Sequence, residues 1–427
     1  MRVAVIAEWY PSPANEVHGI WAHRQALAAK EAGAEVVVFA MRRPVPPIAV
    51  ARQGARAVAR WLWSFRGALR RYELDGLEIR PVPFLSPPRP TSYSSWGAWM
   101  TPSLKRALRM ERFDLIHAHN VLPTGDAVRR LTKGQSLPFI VSTHGPDIIH
   151  VAHSSPSAEA STKLTLQAAS LVIANSTWAG RRCEALAGGS TINLRVVHLG
   201  ADLPTTPQER DAREGGAGES GAGEAGAGEA GAGEAGARGR GARATIVTVA
   251  HLQARKGHAS VLRALAAIAE ERRPEYVIVG DGEQRGALEA LARQLKLDGH
   301  VRFLGELEHR QALLQAWRAD VCVMPSVEEP FGVAYVEAMA GGLPAIGCIG
   351  EGGPEDIAAA GQGMVLVRSG DDEALTSAIE RCLEERDELG AQARETVARC
   401  FTWERCGRET VAAYEAALSA WAGGGRH

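Results

Sequence analysis

Glu329 and Glu337 are carboxylates eight positions apart, with Pro330, Phe331 and Gly332 between them and Ala338-Met339-Ala340 following. An ionised carboxylate only accepts hydrogen bonds, so both suit the hydroxyls of a polyhydroxylated ligand, which donate them. Pro325 and Pro330 interrupt regular structure, Gly332 frees a turn, and Val333 to Ala340 reads as a short helix whose first N–H groups lack partners. Those donors and the helix dipole make Gly332-Val333 a place for an anion. Upstream, Thr248 to Gly257 ends a strand and opens a helix with apolar Val261, Leu262, Leu265 and Ile268. Lys256 then stands near a helix N-terminus, where a point charge and free N–H groups can share a diphosphate. The plainer alternatives are a solvated loop acid at Glu329, a dipole-complementing acid at Glu337 and a surface lysine at Lys256.

Two histidine clusters fall at strand ends, His117-Ala118-His119-Asn120 and Thr143-His144-Gly145-Pro146-Asp147. Imidazoles and Asp147 could bind zinc, but no short ligand spacing supports a site, so no metal is expected. Hydrogen-bonded structural histidines are the competing reading. Gly280-Asp281-Gly282 and Leu304-Gly305-Glu306 are glycine turns after strands, which any such sheet contains. His18-Gly19-Ile20-Trp21 sets a glycine at the mouth of a helix.

Taken as one string, Glu329-x7-Glu337 with Ala338-Met339-Ala340-x-Gly342-x-Pro344 resembles the retaining, nucleotide-sugar-dependent glycosyltransferases of family 4. The resemblance implies that Glu329 contacts the transferred sugar, that the backbone at Phe331, Gly332 and Val333 meets the diphosphate and sugar, and that Glu337 takes the ribose hydroxyls. It implies that Lys256 stabilises the leaving diphosphate. The family's arginine five residues earlier is His251 here, and Arg255 is the candidate replacement for its charge. By the same resemblance Gly280, Asp281, Leu304 and Glu306 line the nucleotide pocket, and Gly19 packs against donor phosphates or acceptor. His144 would face the reacting sugar, with His119 and Asp147 on the acceptor side. The implied activity is transfer of a hexose to a hydroxyl acceptor with retained anomeric configuration, in cell-surface polysaccharide or glycolipid synthesis. The nucleoside diphosphate sugar is a substrate, and no cofactor is implied.

Short apolar runs alternate with longer helical patterns through most of the chain, the sign of parallel sheets covered by helices. Twelve strands are predicted: Val3–Ala7, Val36–Ala40, Leu115–His117, Phe139–Ser142, Leu171–Ala174 and Val196–His198, then Ile246–Ala250, Tyr276–Val279, Val301–Leu304, Val321–Met324, Ala345–Cys348 and Met364–Val367. At 427 residues the chain fits two domains. With the resemblance, the expected fold is α/β of the GT-B type, two facing Rossmann-like doubly wound domains with a cleft between them. The expected division is 1–204 on the acceptor side, 205–243 as an insert, 244–400 for the nucleotide sugar, and 401–427 as a helix crossing back to the first domain. Residues 205–243 repeat Gly-Ala-Gly-Glu-Ala and offer almost nothing to bury, so a disordered tether is expected there.

A net charge of −1 gives no reason to expect specific nucleic-acid binding. Locally the balance differs: Arg42, Arg43, Arg52, Arg56, Arg60, Arg66, Arg70 and Arg71 occur without an acid, interleaved with Trp61, Trp63 and Phe65. Segment 42–71 therefore suits an anionic membrane surface or a lipid-linked acceptor. Six scattered cysteines without a Cys-x-x-Cys pair read as reduced thiols, and the first apolar run is too brief for a signal peptide. A cytoplasmic protein, peripheral on the inner face of the membrane, is the resulting expectation. Two rivals stay open: a nucleotide-sugar epimerase of the same fold, and a non-catalytic partner that binds nucleotide sugar.

Overall fold

The computed structural model describes residues 1–13, 15, 17–46, 48–87, 92–134, 137–204 and 243–423. The predicted tether at 205–243 lies outside the described residues, apart from Arg243. The chain divides into two compact units, one of Met1–Leu199 with Trp403–His427 and one of Gly200–Thr402.

In the first unit the strands are β1 (Arg2–Ala7), β2 (Glu35–Arg42), β3 (Tyr72–Leu74), β4 (Leu77–Pro83), β5 (Leu115–His119), β6 (Phe139–Thr143), β7 (Leu171–Ala174) and β8 (Leu194–Val196). They form one sheet in the order β3-β4-β2-β1-β5-β6-β7-β8. Only the short β3 runs antiparallel, to β4. Strand β1 shows why a continuous apolar run marks such a sheet. Its side chains alternate between faces, and each face is covered. Ala4 and Ile6 enter a core with Phe39, Trp96 and Met100, whereas Val3, Val5 and Ala7 enter a second core with Tyr10, Ala22 and Tyr414. The helix Trp403–Gly423 supplies Cys406, Ala413, Tyr414 and Ala417 to that second core.

The second unit holds β9 (Thr245–Val249), β10 (Glu275–Val279), β11 (Val301–Gly305), β12 (Val321–Val323), β13 (Ala345–Cys348) and β14 (Met364–Val367). Their order is β11-β10-β9-β12-β13-β14, and every pairing is parallel. All twelve predicted strands are present, with the sixth moved to Leu194–Val196; β3 and β4 are additions.

Each sheet has a point where successive connections depart in opposite directions, and ligands of doubly wound folds sit at the carboxyl ends of the strands there. In the first sheet that point lies between β1 and β5, and in the second between β9 and β12.

Candidate functional site

In the second unit, the loop after β9 carries Lys256 and the loop after β12 carries Glu329. The two meet: Lys256 Nζ lies 2.5 Å from Glu329 Oε2. Both side chains are largely covered, at 13% and 7% exposure. The loops are stitched by backbone as well, because Val327 N–H donates to the Arg255 carbonyl at 2.8 Å and Arg255 donates to the Glu328 carbonyl at 3.3 Å. Close approach depends on Gly257, which caps the helix His258–Ala267 with φ +76°. A Cβ at this residue would lie 2.4 Å from the Pro325 carbonyl oxygen.

Glu329 is further fixed through its own N–H, which donates to Glu351 Oε2 at 2.7 Å. Burial pushes the Glu351 carboxyl up, opposed by the Glu329 and Glu328 N–H groups it accepts. Two residues after Pro330 the chain turns at Gly332, with φ +77°, into the helix Val333–Ala340. Its N-terminus therefore opens on the same loop as Glu329. Phe331 is buried and its carbonyl lies against Gly353, where an added Cβ would come within 1.6 Å of that oxygen.

Glu337 sits on the same helix, with His309 Nε2 3.3 Å from its Oε1. Gly280 continues from β10 and donates to the Gly305 carbonyl at 2.8 Å, tying the turns after β10 and β11 together. Asp281 accepts from the Gly282 N–H at 2.7 Å and from Arg285 at 3.2 Å. Leu304, the last residue but one of β11, is half-buried, and Glu306 just beyond the strand is exposed, as is His251 after β9. Arg255 is half-buried and also donates from Nε to Gln253 Oε1 at 3.1 Å.

In the first unit, Gly19 precedes the helix Ile20–Glu31. His119 ends β5, and His144 follows β6. His119 Nδ1 lies 2.8 Å from His144 Nε2, with the rings nearly parallel. Burial drives the His144 imidazole down to about 3 and holds His119 well below its ordinary range, so the pair is neutral. Trp21 packs on the His144 ring at 5.9 Å. Asp147 has a different employment from a ligand-facing acid: its carboxylate accepts from Thr143 Oγ1 and from the N–H groups of Val121, His144 and Gly145. It organises the loop that carries His144.

Segment 42–71 does not act as one cationic surface. Arg42 turns inward and donates to the Tyr10 and Pro11 carbonyls, and Arg43 donates to Ser86 while lying over Trp96. Arg71 is 3.5 Å from Glu78. The exposed arginines are Arg52, Arg56, Arg60, Arg66, Arg70 and Arg71. Within the segment, the helix Ala55–Phe65 buries none of its residues. Val58, Trp61, Leu62 and Phe65 share one face at helical spacing. Trp63 is 73% exposed, with the Arg66 guanidinium 5.4 Å from its ring.

Residues that sequence reasoning did not single out also gather at these strand ends. After β1, Glu8 accepts from the Tyr93 hydroxyl at 2.6 Å, and Trp9 donates to the same hydroxyl at 3.2 Å. Glu8 and Tyr93 are 85 positions apart, a distance no local pattern spans. His309 was equally silent, since it meets the Glu337 carboxylate from a different helix; Glu351 stands in a glycine-rich turn visible in the sequence, but its bond to the Glu329 N–H comes from another loop.

Two doubly wound units, one with a cation–carboxylate pair at the carboxyl ends of its strands, define a protein of the Rossmann-like α/β class. Comparison with known proteins narrows this. Residues 19–204 match the glycosyltransferase family 4 model, and residues 238–398 match the model of glycosyl transferases group 1. The chain belongs to glycosyltransferase family 4. An uncharacterized glycosyltransferase of Methanocaldococcus jannaschii is 31% identical over 176 residues, covering 40% of this chain and 45% of that protein. The chain spans less than half the length of the first curated relatives it matches. Among solved structures, sucrose-phosphate synthase from Thermosynechococcus elongatus has a TM-score of 0.73 at 20% identity, over 98% of this chain and 100% of that one. Anabaena HepE in complex with UDP has a TM-score of 0.67 at 17% identity, over 97% and 100%. These two likenesses establish the GT-B fold.

Proposed function

We propose that this chain is a retaining glycosyltransferase that moves a hexose from a nucleoside diphosphate sugar to a hydroxyl acceptor. The observation that carries the reading is the buried pair of Lys256 and Glu329 on the loops flanking the switch point of the second sheet. A sugar diphosphate suits both members. Its phosphates offer Lys256 a more highly charged partner, and its hydroxyls offer Glu329 the donors that the lysine supplies in the free protein. Negative charge then grows on the departing diphosphate, where Lys256, Arg255 and the N-terminus of the helix Val333–Ala340 stabilise it electrostatically. That set of cations and dipoles supports departure without a metal. The leaving diphosphate itself assists removal of the acceptor proton, in a front-face substitution that keeps the anomeric configuration. In HepE, a protein of the same fold, the bound molecule is UDP, which supports a nucleoside diphosphate as the leaving group.

We assign the acceptor to the first unit, with His144 facing it and His119 stacked against the His144 ring. A lipid-linked or membrane-surface acceptor, in polysaccharide or glycolipid synthesis, accords with Arg56, Arg60 and Arg66 around the exposed Trp63. Basic residues near an anionic surface contribute about 1 kcal/mol each. Among the described residues no helix is long and apolar enough to cross a membrane, so the contact would be peripheral. Incubation with donor alone and with donor plus acceptor tests the reading. Transfer with retention supports it; a change of the donor sugar without acceptor would mean an epimerase, and binding without either would mean a non-catalytic partner.

A further inference from the structure

One helix holds Glu337 at two points. His309, the first residue of the helix His309–Trp317, brings Nε2 to 3.3 Å from Glu337 Oε1. Trp317, its last residue, donates the indole N–H to the Glu337 backbone carbonyl at 2.8 Å. That carbonyl lies in the last turn of the helix Val333–Ala340, where the final carbonyls need donors from outside. The Gly341 N–H has gone to Ala338 instead. The indole reaches in because residue 341 has no side chain: a Cβ there would sit 2.0 Å from Trp317 Cδ1.

The two ends of the contact differ in exposure, 17% for the Glu337 side chain and 39% for His309. A carboxylate at a partly open position has rotamers to choose from, and ordering it on binding costs conformational entropy. A partner that fixes the carboxylate beforehand removes that cost. His309 can do so in two charge states, since Nε2 carries a proton both in the imidazolium and in one neutral tautomer.

We propose that His309 is a positioning residue for donor recognition, setting the rotamer and plane of the Glu337 carboxylate to receive the vicinal hydroxyls of a ribose. Trp317 fixes the backbone from which that side chain springs. The inference rests on the reading that Glu337 takes the ribose hydroxyls. It adds a ligand requirement: the contribution of His309 is felt only by nucleotides that carry those hydroxyls.

Affinities of the full chain for UDP, ADP and GDP, each beside its 2′,3′-dideoxy counterpart, test this by calorimetry. For the tightest ribonucleotide, His309→Leu weakens binding roughly tenfold, while the dideoxy ligand binds the variant and the wild type alike. His309→Gln keeps an amide N–H in reach of Glu337 and recovers most of the loss. Equal weakening of both ligands, or no recovery with Gln, would reduce His309 to a structural role and overturn the proposal. So would unchanged ribonucleotide affinity in His309→Leu. Glu337→Ala separates the underlying reading: if that variant still prefers ribose to dideoxyribose as the wild type does, Glu337 is not the ribose acceptor, and the proposal falls with it. Absence of binding by all three ribonucleotides would overturn both.

Discussion

His117 Nδ1 lies 2.8 Å from the hydroxyl of Tyr414, a residue 297 positions further along the chain. The other ring nitrogen, Nε2, lies 2.7 Å from Ser142 Oγ, so this imidazole joins β5, β6 and the helix Trp403–Gly423 in one buried network.

That network makes the first unit sensitive to acid. Burial, with the neighbouring His144 adding to it, lowers His117 from 6.5 to about 3. An unfolded chain binds the proton near pH 6.5 and the folded one does not until far lower. The stability is therefore complete above pH 6.5 and drains as pH falls toward 3, at about 1.4 kcal/mol per pH unit for this group. Urea unfolding followed from pH 7.5 to pH 5 reads the slope. His117→Gln should flatten it by about that amount, and an unaltered slope would mean the ring is not kept neutral.

Lys256→Ala should lower turnover by roughly 100-fold or more, as removal of other electrostatic catalytic groups does. It also strands Glu329 under cover. Loss of one partner of a buried pair costs up to about 3–5 kcal/mol, and the residual exposure of Lys256 places this case toward the lower end. Lys256→Ala with Glu329→Gln should regain stability without regaining activity. Activity of the single variant within a few-fold of wild type would remove Lys256 from the reaction.

Gly257→Ala forces a Cβ toward the Pro325 carbonyl at a φ of +76°. The β9 and β12 loops must separate to admit it, at a cost of about 1–3 kcal/mol, and the Lys256–Glu329 distance grows. A lowered melting temperature together with weakened nucleotide binding is expected. Unchanged binding would show that the pair tolerates the shift.

Trp63→Ala should leave stability within about 0.5 kcal/mol, as for surface substitutions generally. Its effect belongs to vesicle flotation, where recovery with anionic lipid should drop, as it should when Arg56, Arg60 and Arg66 become Gln. Binding should weaken with salt. Equal recovery on neutral and anionic vesicles, or none on either, would exclude the membrane contact.

Legibility in the sequence followed from how each element announces itself. Strands such as β1, β6, β7, β12 and β13 are buried on both faces, so their runs are largely apolar, whereas β8 and β11 expose Arg195 and Arg302; the helix Val333–Ala340 was bounded by Gly332 and by Gly341-Gly342. Strand β4 was hidden by Pro81 and Pro83, residues that argue against a strand interior. Phe84 N–H donates to the Arg42 carbonyl, so even-numbered residues of β4 face β2 and the two prolines face the other side, beyond the three residues paired with β3. Charge runs were misleading for another reason: the sequence counts guanidinium groups but does not say that Arg42 and Arg43 turn inward. The contacts that hold the site acids, from Glu351 to the Glu329 N–H and from His309 to the Glu337 carboxylate, cross loops and helices, where no spacing rule applies.

The first unit is assembled from two separated stretches of chain, with the whole of Gly200–Thr402 between them. Ala201 and Thr402 pair side by side, so the intervening unit leaves and returns through adjacent points. Biosynthesis consequently completes the second unit before the first. The second sheet is complete in sequence before Cys406, Tyr414 and Ala417 are made, whereas the first sheet keeps part of one apolar face uncovered until the last helix emerges. A chain ended after Thr402 should retain nucleotide affinity in its second unit and expose the β5, β6 and β7 face to a hydrophobic dye; a truncated chain with no such exposure would show that the first unit closes without its final helix.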